Sequence, residues 1–453
     1  MSCSCSRRSF LRWSALAGTA LLARPALGTV TGAPTLRPFA APRIGGRRVL
    51  AGSLHDHSTD SDGDAPSDVV AAYVRAHAGE LGLDFLSLTE HSDVFPASSA
   101  GADPWSRSAA VCAAHTGDGF AFLRGFEWTN DQQNHLNVIG SAGWVRRDEA
   151  FTMAPFWRWL ATAPGPVVSP LVESPGGADG VGQFNHPSSK GPLNWDDYAY
   201  DAGAAARMAT IEIRERAAGW YWFALMRGWT VGPVMNGDFH PWAASGLLAN
   251  ATPGAGTDGA GFYPGHRSLV VADDATPAAL LSGLAARRTA ASERPDLWAT
   301  LRDRDGRWMG STVEAEPGAR LQLVVDAGTA DSRIAAVALV QDRPLDDVVA
   351  AHYFGDNDLP RAKLSQHEAA YAEQHRRYVT SGGRATYKGG QEAPPPGATV
   401  LERPWEPGER TTRMHWTVPT SPSPRPDGAH WVYAVVTRAD GARVTTAPLL
   451  VTT

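Results

Sequence analysis

Between residues 49 and 240 one short apolar stretch after another ends in a histidine or a carboxylate, and this recurrence limits the folds open to the chain more than any other feature. The first case is Leu54-His55-Asp56-His57-Ser58-Thr59-Asp60-Ser61-Asp62-Gly63. Residues two apart in a strand face the same way, so the imidazoles of His55 and His57 can reach one ion, with Asp62 following on a Ser/Asp/Gly loop. By itself such a pair is as often surface decoration as half of a metal site. Its partners have to come from elsewhere in the chain.

Val49 to His57 predicts a strand, and Asp64-Ala65-Pro66 predicts a helix start, because proline is tolerated in a first turn where its missing N–H costs nothing. Val69, Val70, Tyr73 and Val74 form the apolar face of that helix, and His77 on it is expected to have no acidic or histidine companion. The next predicted strand, Leu83 to Thr89, ends in Thr89-Glu90-His91, and Phe120 to Glu127 ends in Glu127. His135 opens a further short segment. Gly182 to Pro187 closes on Asn185-His186-Pro187, and Thr230 to Met235 runs into Asn236-Gly237-Asp238-Phe239-His240. Predicted helices over Phe151 to Ala163, Ala218 to Arg227 and Thr276 to Arg287, with a strand over Ala209 to Arg214, complete the alternation. Short strands alternating with helices predict parallel βα units, in which functional groups collect where the strands end. His55, His57, Asp62, His91, Glu127, His135, His186, Asp238 and His240 all fall at such ends, which favours one clustered metal site.

The 453 residues, 43% of them hydrophobic, suffice for two or three packed domains, and the net charge of -6 carries no basic track for nucleic acid. At the N-terminus, Ser6-Arg7-Arg8-Ser9-Phe10-Leu11-Arg12 precedes a short apolar run, Trp13 to Ala23, and then Ala26-Leu27-Gly28. This resembles a twin-arginine export signal over residues 1–28, too short to remain as a membrane span and cleaved before about Thr29. The expected destination is periplasmic or secreted, with the export machinery as a partner. Residues 29–48 are Pro/Gly-rich and read as a linker. Cys112 alone remains beyond the signal, so no internal disulfide is expected, and the residue reads as a small buried hydrophobe.

Beyond Ser292 the texture changes to the alternation of half-buried antiparallel strands, as in Arg320-Leu321-Gln322-Leu323-Val324-Val325 and Trp431 to Thr437. Residues 293–453 therefore predict an all-β, immunoglobulin-like sandwich, with an insertion near 350–410 that holds a helix, Ala362 to Tyr378, and the loop Pro394-Pro395-Pro396-Gly397. His367 and His375 on that helix read as solvated. A Gly/Ala/Asn loop, Ala243 to Gly261, is long enough for a lid. Arg214, His266 and Arg267 are candidates to hold an anionic substrate, against the plainer alternative of surface or salt-bridged side chains.

At these motifs the chain resembles the PHP (polymerase and histidinol phosphatase) superfamily. His55-Asp56-His57 with Ser61-Asp62-Gly63 matches its first motif. Thr89-Glu90-His91 matches a second that usually reads Thr-Asp-His, so Glu90 is a departure. Gly125-Phe126-Glu127, His135, His186-Pro187 and Asp238-Phe239-His240 match the remainder. The resemblance runs from His55 to about Ser292 and implies a distorted seven-stranded β/α barrel over residues 49–292 holding two or three divalent metals. It also implies that the nine residues named above are the ligand set, with Glu127 bridging and Glu127, Asp238 and His240 central to catalysis. A barrel followed by a sandwich is similar to the CehA/McbA-type branch, whose named members include a carbamate-insecticide hydrolase.

The implied activity is hydrolysis of a small-molecule ester in which bridged metals activate a water. Zinc, manganese and iron all suit N and O donors. Phosphoester hydrolysis is the first expectation and carbamate or carboxylic ester hydrolysis the second. A non-enzymatic alternative is a surface-binding protein acting through the sandwich.

Overall fold

The computed structural model describes residues 43–97, 103–130, 133–146, 152–166, 172–187, 194–213, 218–240, 266–330, 332–342 and 399–453. The expected export signal, Arg214, the loop Ala243 to Gly261 and the insertion with His367 and His375 lie outside them. The described residues belong to one compact unit, Thr35–Thr453, and none of their helices is long and apolar enough to cross a membrane.

Regular structure begins before Val49, inside the stretch expected to be a linker. Strand β1 (Arg43–Ile44) pairs antiparallel with β2 (Arg47–Asp56) across Gly45 and Gly46. Their φ values of 53° and 83° suit the tight two-residue turn that such a hairpin requires and that residues with a Cβ resist. From Val49 onward β2 is buried. Helix α1 (Ser67–Leu81) buries Val70, Ala71 and Val74 in one core with Leu86, Leu88 and Phe122 of the next two strands, Val70 and Val74 each contributing about 1.5–3 kcal/mol by burial, and stops at Gly82 in the left-handed region. On the exposed side of α1, His77 has a companion after all, Glu80 at 3.0 Å.

Strand β3 (Phe85–His91) runs parallel to β2. Helix α2 (Pro104–His115), capped by the Asp103 carboxylate accepting from Ser106 N, leads to β4 (Ala121–Trp128), parallel to β3. The next strand, β5 (Leu136–Ile139), departs from the expected parallel pattern: it is antiparallel both to β4 and to β6 (Val181–Phe184). Seven residues, 129–135, separate β4 from β5, too few for a helical crossover, and so short a connection can join only antiparallel neighbours. Helix α3 (Ala154–Ala161) lies between β5 and β6. Helices α4 (Asn194–Tyr198) and α5 (Ala202–Ala205) lead to β7 (Met208–Glu212), and α6 (Ala218–Met226) leads to β8 (Gly232–Val234), with β6, β7 and β8 parallel.

The sheet curls until its ends meet. Asp56 bridges Phe239, His57 N donates to Phe239 O at 2.9 Å, and Leu54 N donates to Asn236 Oδ1 at 2.7 Å. Strand β9 (Arg267–Ala272) then pairs antiparallel with β2, and after helix α7 (Pro277–Ala285) strand β10 (Thr289–Ser292) pairs with β9.

No linker marks the change of texture at Ser292, because β10 also pairs with a strand of the C-terminal region. That region comprises β11 (Trp298–Asp303), β12 (Thr312–Glu314), β13 (Arg320–Gly328), β14 (Ile334–Gln341), β15 (Thr399–Pro404), β16 (Thr411–Thr417), β17 (His430–Arg438), β18 (Arg443–Thr446) and β19 (Leu449–Thr452). β10 pairs with β18, so the large mixed sheet continues into this region. The small antiparallel sheet β11-β13-β16 packs on it, with Leu301, Leu323 and Met414 in one core with Val337, Val432 and Val444. Cys112 is buried on α2, and burial pushes its thiol up to about 12, which makes it an inert packing residue.

Candidate metal centre

Most candidate ligands lie at or just after strand ends. His55 lies in β2 and His57 just after it, His91 ends β3, Glu127 lies in the last part of β4, His186 follows β6, and Asp238 and His240 follow β8. His135 precedes β5 rather than following it. Because β5 runs in reverse, its start lies beside the end of β4, with Trp128 opposite Leu136. Asp62 reaches inward from a turn that Gly63 makes possible, since a Cβ there would lie 2.7 Å from Ser58 Cα and 2.8 Å from His57 O. Two of these residues, His186 and Asp238, have positive φ (30° and 55°), backbone that costs about 1–3 kcal/mol and persists at sites that over-determine it.

Glu127 is the hub. Its Oε1 lies 3.1 Å from His55 Nε2, 3.0 Å from His135 Nδ1 and 3.3 Å from His186 Nε2, while its Oε2 lies 3.4 Å from His57 Nε2 and 3.0 Å from His91 Nδ1. Asp238 Oδ1 stands 3.3 Å from both His55 Nε2 and His57 Nε2. Toward solvent, Asp62 lies 3.1 Å from His240 Nε2 and 3.5 Å from His91 Nε2. The donor atoms form three overlapping groups, each within 4.8 Å: His55, His57, Glu127 and Asp238; His57, Asp62, His91 and His240; and His91, Glu127 and His135.

These groups fit divalent cations. His55 Nε2, His57 Nε2 and Glu127 Oε2 are buried and make no aligned hydrogen bond, although charged groups stand 3.0–3.4 Å away and a buried polar atom without one costs free energy. Their spacings are close to the roughly 3.3 Å separating two ligand atoms bound tetrahedrally to one ion at about 2.0–2.1 Å.

The electrostatics agree. Burial opposes charge on Glu127, but the imidazoles of His55, His135 and His91 hold its carboxyl well below the usual range. Asp238 is held low against its burial chiefly by His55 and His57. His55 is raised well above its ordinary value against burial by Glu127, Glu212 and Asp238, and His57 is raised to about 9 by Asp238 and Glu127. At His135 burial wins, lowering the ring to about 4, a neutral imidazole suited to coordination. Carboxylates confined in a buried pocket attract positive charge, supplied by protons when no metal is bound.

Of the three expected anion-binding residues, Arg214 lies outside the described residues and His266, half-buried just before β9, is not in the converging groups. Arg267 is placed against backbone carbonyls. Its buried guanidinium donates to the carbonyls of Leu81 and Gly82 at the end of α1, and to His266 O at 2.6 Å, so it caps a helix.

Sequence reasoning overlooked a polar floor beneath the cluster. Asn185 Nδ2 donates to Glu127 Oε1 at 2.9 Å and to Asn137 Oδ1 at 2.8 Å, and Gln183 Nε2 donates to Asn185 Oδ1 at 2.9 Å. Glu212, the last residue of β7, lies 2.9 Å from His55 Nδ1. The available signal was carboxamides and a carboxylate placed within or at the ends of otherwise apolar strands. Glu90 turns away from the cluster and accepts from Ser58 N at 3.0 Å and Ser58 Oγ at 2.6 Å, holding the turn that carries Asp62.

No protein-family model matches the chain, and no curated protein matches it. Among solved structures, a Bacteroides vulgatus ATCC 8482 protein described as a two-domain protein containing predicted PHP-like metal-dependent phosphoesterase aligns over 92% of this chain and 100% of its own, at 15% identity and a TM-score of 0.41. The PmoD soluble domain from Methylocystis sp. ATCC 49242 (Rockwell) aligns over 35% of this chain and 92% of its own, at 14% identity and a TM-score of 0.17. At such distances the chemistry of the site has to come from its own side chains.

Proposed function

We propose that this chain is a metal-dependent hydrolase of the PHP type, acting on a phosphoester. The observation that carries this is the convergence of fully buried His55, His57 and Glu127 with Asp238, in which His55 Nε2, His57 Nε2 and Glu127 Oε2 make no aligned hydrogen bond. In this reading the curled sheet β2–β8 is the distorted seven-stranded barrel and the strands after Ser292 an immunoglobulin-like sandwich. His55, His57, Glu127 and Asp238 would hold one divalent ion, Asp62, His91 and His240 with His57 a second, and His91, Glu127 and His135 a third, with His186 at Glu127 Oε1.

Bound divalent ions would supply Lewis acidity and lower the pKa of water. Glu127 belongs to two of the groups and would take part in holding more than one ion. His135, neutral across the physiological range, offers a lone pair without first losing a proton. Asp62 and His240 are the more exposed members and border the side from which a substrate enters. Asn185 fixes the Glu127 carboxylate from below, so that it need not reorganise during the reaction. Delivery by a twin-arginine signal over residues 1–28 belongs to the same proposal, because that route exports folded proteins and would let metal be acquired before export.

Metal analysis of the purified protein paired with a substrate panel tests this. At least one equivalent of zinc, manganese or iron and a preference for nitrophenyl phosphate or bis-nitrophenyl phosphate is the expected result. Preference for naphthyl carbamate or acetate would move the substrate class to carbamates or carboxylic esters. Absence of both transition metal and rescue by added Mn or Zn would sink the metal-centre reading.

A further inference from the structure

Glu212 lies behind the cluster rather than in it, fully buried at the end of β7. Its Oε1 faces His55 Nδ1 at 2.9 Å and accepts from Asn236 Nδ2 at 3.0 Å, with Gln183 Nε2 at 3.4 Å. Its Oε2 accepts the backbone N–H of His186 at 2.6 Å. Asn236, Gln183 and the His186 amide are obligatory donors here, so both oxygens must accept.

Two consequences follow for residues of the metal site. An Nδ1–H of His55 donating to Glu212 leaves Nε2, which faces Glu127 and Asp238, as the atom carrying a free lone pair. The His186 peptide, at φ 30°, is gripped from both sides: its N–H by Glu212, and its C=O by Asn134 Nδ2 at 3.3 Å. One side chain thus orients the ring of one candidate ligand and the backbone of another, on strands at different points of the curl. A glutamine would offer one acceptor and one NH2 group to the same donors and could not serve both oxygens' partners.

We infer that Glu212 is a positioning residue of the metal centre, fixing the His55 tautomer and the His186 backbone so that the site binds divalent metal tightly. The inference rests on the metal-centre reading above. Carboxylates behind metal-binding histidines change affinity by about 10- to 100-fold, whereas a residue that merely supports the fold changes stability alone.

The test compares the full-length wild type with Glu212→Gln and Glu212→Asp. It measures Zn2+ affinity by chelator competition, the visible absorption of the Co2+-loaded protein, and the thermal midpoint of the metal-free protein. Glu212→Gln is expected to bind Zn2+ about 10- to 100-fold more weakly and to alter the Co2+ bands. Glu212→Asp keeps the charge but withdraws it by one methylene, and is expected to fall between the two. Wild-type affinity and wild-type Co2+ bands in either folded variant, with only the metal-free midpoint lowered, would overturn the inference. If Glu212→Gln does not fold, the same comparison is read on Glu212→Asp. Failure of the wild type itself to bind Zn2+ or Co2+ would instead overturn the metal-centre reading and this inference with it.

Discussion

Glu127 Oε1 and His135 Nδ1 lie 3.0 Å apart across two strands that run in opposite directions. The contact depends on the reversal of β5, which brings the residue before that strand to the level at which β4 ends. Glu127 contacts imidazoles in each of the candidate groups, so its charge matters more than its shape. Glu127→Gln preserves the volume and removes the charge. The expected outcome is metal content falling below one equivalent and kcat falling more than about 100-fold. Elemental analysis with steady-state kinetics on one preparation checks it, and a variant retaining full metal and full kcat would contradict the hub role.

The titration of the cluster gives metal-free protein a distinct pH response. His57 is raised to about 9 in the fold, above its unfolded value of about 6.5. Its contribution is therefore fully present below about pH 6.5 and lost as pH rises through about 9. His135, lowered to about 4, works oppositely: the unfolded state takes up its proton first, so stability declines as pH falls from about 6.5 toward 4. Melting in excess chelator should give a midpoint highest near neutrality and falling on the alkaline side. Added Zn2+ should raise the midpoint most where the histidines are deprotonated. A chelated protein whose midpoint stays flat from about pH 7 to 9.5 would argue against buried, charged imidazoles.

The parts legible in the sequence were those encoded by spacing. His55 and His57 are visible because a strand turns sequence parity into direction, and Asp238 and His240 because they follow directly on a short apolar stretch. Strand direction is not encoded that way: nothing in His135 to Gly140 says which neighbour the segment joins or in which sense. Continuity between β10 and β18 depends on Ala290 pairing with Thr446, a contact far too distant in sequence to leave a local trace. Arg267 resembled an anion-binding residue because residue type does not reveal which face of a strand it occupies. Glu212 ends its strand as Glu127 does, but its role depends on His55 and His186, 157 and 26 residues away in sequence, and so leaves no local trace.

Glu90 departs from the residue type usual at its motif position, and its contacts explain what a longer carboxylate does there. It accepts from Ser58 N with both oxygens, at 3.0 and 3.1 Å, and from the hydroxyls of Ser58 and Ser61. Glu90→Ala would leave the buried Ser58 N–H unpaired, at a cost of about 1–3 kcal/mol. It would also free the turn that carries Asp62. Urea unfolding of metal-free protein should report that loss, and chelator competition should report weakened metal binding. Normal stability together with normal affinity in this variant would show that the turn holds itself.

Arg425, in the loop before β17, is buried against the end of α6, where it donates to Leu225 O at 2.8 Å, Gly228 O at 2.9 Å and Trp229 O at 3.1 Å. Its Nε and Nη2 also pair with Asp427 at 2.9 and 2.6 Å, and Arg425 helps to hold that carboxyl below its usual range. The guanidinium thereby serves carbonyls at and just beyond the end of α6, of which Leu225 O also accepts from Gly228 N at 3.1 Å, and it fastens the C-terminal strands to the α/β part of the chain. Arg425→Met keeps much of the side-chain volume but leaves those carbonyls without their donor, so stability should fall by about 2–4 kcal/mol. Because Arg425 belongs to none of the converging groups, the folded variant should retain its metal content. Urea titration followed by tryptophan fluorescence, with elemental analysis of the same sample, separates the two effects. A loss of metal without a loss of stability would mean that the C-terminal region acts on the metal centre rather than on the fold.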